Sequence, residues 1–139
     1  MQEESVVYGC IKDTVHERNV SHRVQTNRDA LLALPAAESW PLLSREMFAA
    51  TAHAADIAVH TEVVHFGASY LGIEYEWSVW MEQFEALLSR MYWVTATVHL
   101  ETEGSGTHSF IWETTDEYHE PGNSDIRLRC EWVHESWLG

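Results

Sequence analysis

The stretch His60-Thr61-Glu62-Val63-Val64-His65 comes nearest to a metal motif in this chain. A zinc-binding helix needs two histidines four residues apart on one face, with glutamate next to the first. Here the spacing is five, and Ile57 to Phe66 is rich in β-branched residues and reads as a strand, with an extension toward Tyr70. On a strand His60 and Glu62 share a face and His65 points the other way, so no local site forms. A three-residue site that recruits His99 or Glu101 from a neighbouring strand stays open. His16 and His22, near Asp13 and Glu17, read as exposed loop histidines, and so does His119 in His119-Glu120. His99, between Val98 and Leu100, reads as a residue on a polar sheet face.

Nucleophilic chemistry finds no support. Ser69 lies in Gly67-Ala68-Ser69-Tyr70-Leu71-Gly72, which lacks the G-x-S-x-G elbow. Cys10 follows Gly9 in a strand-like stretch with no electropositive setting to lower its pKa. There is no phosphate-cradling glycine loop and no dinucleotide fingerprint. Carboxylate pairs such as Glu101/Glu103 and Glu74/Glu76 could serve acid/base work, but acids are abundant everywhere in the chain, which weakens any one pair as a signal. The reading therefore assigns no catalytic residue, no metal ligand and no cofactor.

Charge is more informative. The chain of 139 residues has 22 acids against 8 bases, a formal net charge of −14. Residues 1–73 hold 9 acids and 5 bases, a net of −4, whereas residues 74–139 hold 13 acids and 3 bases, a net of −10. Such a field repels nucleic acid and anionic membrane surfaces. It attracts basic partners and speeds their association. The plainer reading of the surplus is solubility alone. Nine histidines, with ordinary pKa values of about 6.5, would fade the field toward pH 5.

The elements that carry these residues follow from periodicity. Ser5 to Lys12 alternates in part and predicts a first strand, and Asp13 to Thr26 reads as a loop. Asn27 is placed to cap a short helix that Pro35 ends, and a second short helix opens at Pro41 or Ser44 and runs through Ala52. Gly67 and Gly72 suggest a bulge or turn. Trp77, Trp80, Met81, Phe84, Leu87, Leu88 and Met91 recur at three- and four-residue spacing and predict a long amphipathic helix over about 75–91. Trp93 to Glu103 alternates cleanly, Gly104-Ser105-Gly106 signals a hairpin, and Thr107 to Thr115 is the return strand. After a turn at Glu120-Pro121-Gly122-Asn123, Ile126, Leu128, Cys130 and Trp132 line one face of a last strand. The expected fold is a single α+β domain over 1–139. It has a mostly antiparallel sheet with a C-terminal three-stranded meander, and the long helix and two short helices pack on one face.

Strand parity then places charge. Glu101 and Glu103 share the face opposite Val98 and Leu100, while Glu131, Arg127 and Arg129 lie opposite Cys130. Asp116, Glu117 and Glu120 gather before the last strand. One sheet face or its rim is thus expected to form a negative binding surface. In it Glu101, Glu103, Glu113, Asp116 and Glu117 steer a basic protein, and an exposed tryptophan anchors it. Trp77, Trp80 and Phe84 read as core, and Trp112 and Trp137 as the tryptophans left partly exposed. Cys10 and Cys130 read as buried free thiols, with one bridge allowed if their strands are neighbours. The acidic start Met1-Gln2-Glu3-Glu4 lacks the pattern of a signal peptide and no apolar run reaches the length of a membrane span, so a cytoplasmic location is expected.

Two stretches, Trp40-Pro41-Leu42-Leu43-Ser44-Arg45-Glu46-Met47-Phe48 and Trp77 through Trp93 into Thr97-Val98-His99-Leu100, give the chain its likeness to known proteins. In them it resembles the small acidic immunity proteins that bacteria keep beside secreted antibacterial toxins. The resemblance is to the class, and no motif transfers residue by residue. It implies a cytosolic, non-enzymatic protein that binds a basic toxin domain and blocks it. The high histidine count departs from what that class requires. Two rivals remain: a small hydrolase or isomerase using His and Glu across the sheet, with or without a metal, and a structural or adaptor module that self-associates through its aromatics. Homodimerisation is compatible with all three.

Overall fold

Alternating apolar residues draw five segments of the chain into one antiparallel sheet. In a computed structural model, residues 4–14, 20–39, 41–48, 61–104 and 106–133 are described. Val7 and Ile11 point inward from β1 (Glu4–Thr14), and Val64 and Phe66 from β2 (Thr61–Leu71). Ala96, Val98 and Leu100 do so from β3 (Thr95–Thr102), and Trp112 from β4 (Gly106–Glu113). With β5 (Arg127–Val133) the order across the sheet is β2-β1-β3-β4-β5, every pair antiparallel. The expected meander is β3-β4-β5. The first strand lies inside the sheet, between β2 and β3.

Gly9 allows β1 to sit there. A Cβ at this position would lie 2.0 Å from the Thr97 carbonyl oxygen and 3.0 Å from the Phe66 ring. Only a residue without a side chain lets the three strands close at this point.

Two α-helices lie among the described residues. The amphipathic one, α2, spans Trp77–Leu88, shorter than the expected 75–91. Gly72, in the left-handed region at φ 69°, turns the chain at the end of β2 into a 3-10 turn over Ile73–Glu76, and the α-helix starts only after it. At the other end the Trp93 indole donates to the Leu88 carbonyl at 2.9 Å and caps the last turn. The apolar stripe behaves as read. Trp80, Phe84, Leu87 and Leu88 are buried. Trp77 stacks on Trp80 at 4.8 Å, and Phe84 meets Phe66 at 5.4 Å and Trp112 at 4.9 Å.

The two short helices differ from expectation. The first, α1, spans Val20–Leu32 and so begins seven residues before Asn27, inside the stretch read as loop. Asn27 is no cap. It is buried mid-helix, and its amide donates to the Tyr92 carbonyl at 2.9 Å and accepts from the Tyr92 N–H at 2.7 Å. One turn earlier Arg23 forms a buried ion pair with Asp13, its Nε 3.0 Å from Oδ2, and lies over the rings of Tyr92 and Tyr118. Polar tethers of this kind leave no apolar period, so the helix was not legible there. Of the second helix, positions 41–44 are not helical, positions 45–48 form a 3-10 turn, and positions 49–52 lie outside the described residues.

The two cysteines are free. Cys10 is half-buried on the outer sheet face. Cys130 is exposed on the inner-parity side of β5, with β3 and β4 between it and β1, so no bridge can form. The expectation that both are buried is met at neither: Cys10 is half-buried, and Cys130 is exposed because β5 is an edge strand on which Leu128 also stays exposed.

Gly9→Ala should destabilise the protein by about 3 kcal/mol or more, since the clash is with backbone and cannot be relieved by a rotamer; urea unfolding followed by tryptophan fluorescence measures it. Arg23→Met should cost about 3–5 kcal/mol by leaving the Asp13 carboxylate buried without its guanidinium. Replacing both residues by apolar ones should recover much of the loss in the same assay.

Candidate protein-binding surface

Register divides the expected acidic residues into two groups. Glu101 pairs with Thr107, and Glu113 pairs with Thr95, six positions away along β3. At roughly 3.3 Å per residue the two ends lie about 20 Å apart. Glu101 and Glu103 are therefore at one end of the sheet, and Glu113, Asp116 and Glu117 at the other. They do not form one patch.

The outer sheet face is not strongly negative either. Lys12, Arg127 and Arg129 share it with Glu101, Glu113 and Glu131, and the Arg129 guanidinium reaches Glu113 at 3.1 Å and Glu131 at 3.8 Å. His99 sits on this face as expected, 2.8 Å from the Ser109 hydroxyl and against the Tyr8 ring.

Trp112 corrects the expectation of an exposed anchor. It is 0% exposed, packs on Phe84, and donates its indole N–H to Glu85 at 3.1 Å. Trp137 lies outside the described residues. His119 is also buried rather than exposed. It stacks on Trp93, with one ring nitrogen 2.9 Å from the Met91 carbonyl and the other 2.8 Å from that of Asn123. His22 is exposed, but on α1 rather than in a loop. His16 and His60 lie outside the described residues.

What reasoning from sequence missed is the opposite end of the molecule. Glu4 faces Leu71 across β1 and β2, and Ser5 faces Thr102 of β3. The Ser5 hydroxyl donates to Glu74 at 3.0 Å, so the Gly72–Glu76 turn lies over the same end of the sheet as Glu101 and Glu103. The segments that build this end, 4–8, 69–76, 99–104 and 106–107, contain no Lys or Arg. Glu4, Glu74 and Glu101 accept hydrogen bonds from Ser69, Ser5 and Tyr8, hydroxyls that leave the negative charge in place. Segment 41–48, joined to β2 where the Tyr70 hydroxyl donates to the Leu42 carbonyl, carries Arg45 beside Glu46.

Apolar surface is exposed here as well. Tyr75 is 82% exposed between Glu74 and Glu76, Leu71 is 68% exposed, and Val79 is 44% exposed one turn into α2. A cleft of about 540 Å³, lined by Leu71, Tyr70, Leu42, Met47, Pro41 and Glu4 among others, opens beside β2. Burial pushes the Tyr70 phenol above its ordinary pKa, against a smaller opposing effect of the Trp80 hydrogen bond. This favours the protonated phenol, which donates to the Leu42 carbonyl.

The other end carries the 114–126 loop with Asp116 and Glu117. Hydrogen bonds from the Thr115 hydroxyl and N–H hold the Asp125 carboxyl below the ordinary carboxylate range, and the charges of Arg127 and His119 act in the same direction. Tyr118 donates to Glu120 at 3.1 Å, and this bond raises the phenol pKa.

Among the described residues no group of three His, Cys, Asp or Glu side chains is placed to hold a metal ion, and no helix is long and apolar enough to cross a membrane. Comparison with protein-family models, curated proteins and solved structures finds no match.

Because Asp125 titrates lower in the folded loop than in an open chain, its bonds to Thr115 favour the closed loop above the ordinary carboxylate pKa of about 3.9. That preference is lost as pH falls through the lower, folded value. Carbon-detected NMR should show Asp125 titrating below the ordinary aspartate value, and Thr115→Val should move it back toward that value.

Proposed function

We propose that the protein is a stoichiometric inhibitor of the immunity type, a cytosolic bacterial protein that captures a basic toxin domain through its acidic surface. The observation that carries this reading is the polar division of charge. One end of the sheet gathers Glu4, Glu74, Glu76, Glu101 and Glu103 on segments without Lys or Arg, together with exposed Tyr75 and Leu71. Solubility requires only that charge be spread over the surface. Uncompensated carboxylates beside exposed apolar side chains are instead the two parts of a binding face, one for steering and one for affinity.

The reading moves the centre of the surface from the sheet face to this end. Glu101 and Glu103 keep the steering role expected of them. Glu113, paired with Arg129, contributes little field. Asp116 and Glu117 form a separate, more distant group. A toxin that acts on nucleic acid or membranes needs a cationic surface to find its target, and an acidic protein competes for that surface.

A pull-down from the source cell with a salt gradient should release one basic partner in 1:1 ratio at high ionic strength, and the purified pair should lack the partner's activity. Reversing Glu76, Glu101 and Glu103 to Lys should lower the association rate by about tenfold or more at low salt and flatten its salt dependence, with dissociation changed less. Stopped-flow fluorescence reads this directly. An unchanged association rate would remove the steering role from this end.

A further inference from the structure

Resting on the reading above, we infer that the ridge formed by Tyr75 and Val79 is the anchor of the docking face, and that its occupant is a protein surface with an apolar recess rimmed by lysine or arginine. Tyr75 stands on the 3-10 turn, and Val79 follows four residues later on the first turn of α2. They are 82% and 44% exposed. A tyrosine carries large contact area at small conformational cost, and it is among the residues that dominate binding energy when a partner pocket encloses them.

The local backbone is held rigidly. Gly72 turns the chain in the left-handed conformation, the Tyr75 N–H donates to the Gly72 carbonyl at 3.1 Å, and Ile73 and Trp80 on either side are fully buried. The ring is thus presented from a fixed base, which lowers the ordering cost of binding.

Charge names the partner. Glu74 and Glu76 flank Tyr75, and Glu82 follows Val79 one turn on. Glu76 and Glu82 have no ion-pair partner among the described residues, and the next base on the helical segment is Arg90, beyond its C-terminal end. A second copy of this chain would bring the same carboxylates against these, so self-association through the ridge is disfavoured. A cationic rim around an apolar recess satisfies both the carboxylates and the ring.

The experiment uses a defined probe, an 18-residue amphipathic helical peptide of lysine and leucine, titrated into the ¹⁵N-labelled protein at low salt. Shift changes should centre on Leu71 to Gln83. Tyr75→Ala should weaken binding about tenfold or more, Tyr75→Phe should retain it, and Val79→Ala should give a smaller loss. Exposed positions allow each variant to be checked for an unchanged amide spectrum elsewhere. Salt-sensitive binding that maps to Glu113–Asp125, or that is indifferent to Tyr75→Ala, overturns the anchor and leaves the acidic-surface reading standing. Absence of any salt-sensitive binding overturns both.

Discussion

The packing of one aromatic stripe on one sheet governs the rest of the molecule. Trp77 of α2 meets Phe110 at a centroid distance of 5.2 Å, Phe84 meets Trp112 at 4.9 Å and Phe66 at 5.4 Å, Trp80 stacks between Trp77 and Phe84, and Leu87 and Leu88 close the stripe with no exposed surface. Burying a side chain of this size is worth about 2–3 kcal/mol each, whereas an exposed ion pair is worth about 0–1 kcal/mol. The rotation of α2 is therefore set by its buried face. Residues off the stripe, among them Tyr75, Glu76, Val79 and Glu82, go to solvent as a consequence. The exposed ridge is the remainder of a strong packing decision, which explains why an apolar tyrosine and valine can be held outward on a rigid element.

A second constraint is polar and works at the opposite end. The Asp13–Arg23 pair and the double hydrogen bond between Asn27 and Tyr92 fasten α1 to the end of β1 and to the turn after α2. His119, stacked on Trp93 with both ring nitrogens facing carbonyls, closes the following loop. These groups are buried and directional, so they specify position as well as contributing stability. They also draw on residue types that composition assigns to surfaces and caps.

That difference decides what was legible. β3, the hairpin to β4, β5 and the core face of α2 follow from period two and period 3.6 in residues such as Val98, Leu100 and Phe84. The start of α1 was hidden because Arg23 and Asn27 face inward and interrupt any apolar stripe. Trp112 looked available for a partner because its strand alternates weakly, and its burial depends on meeting Phe84 of a helix distant in sequence. The division of the acids depended on register and on the insertion of β1 between β2 and β3, which no local pattern encodes. One signal for the site was present. Tyr75 lies just before Trp77, off the stripe of Trp77, Trp80 and Phe84, with glutamate on each side.

Net charge is a poor guide to field when acids are paired, and distance decides which pairs matter. Screening limits exposed charges to about 8–10 Å at physiological ionic strength, so groups about 20 Å apart on the sheet act on different parts of a partner. At the Glu113 end, Lys12, Arg127 and Arg129 stand among the acids and shorten the reach of their field. At the Glu101 end the carboxylates are held by hydroxyls of Ser5, Tyr8 and Ser69, which order them without cancelling them. Among the described residues, it is there that a negative field coincides with exposed Tyr75 and Leu71. Steering without an anchor gives fast, weak encounters, and an anchor without steering gives slow ones. Their coincidence at one end sets that end apart from the rest of an acidic surface.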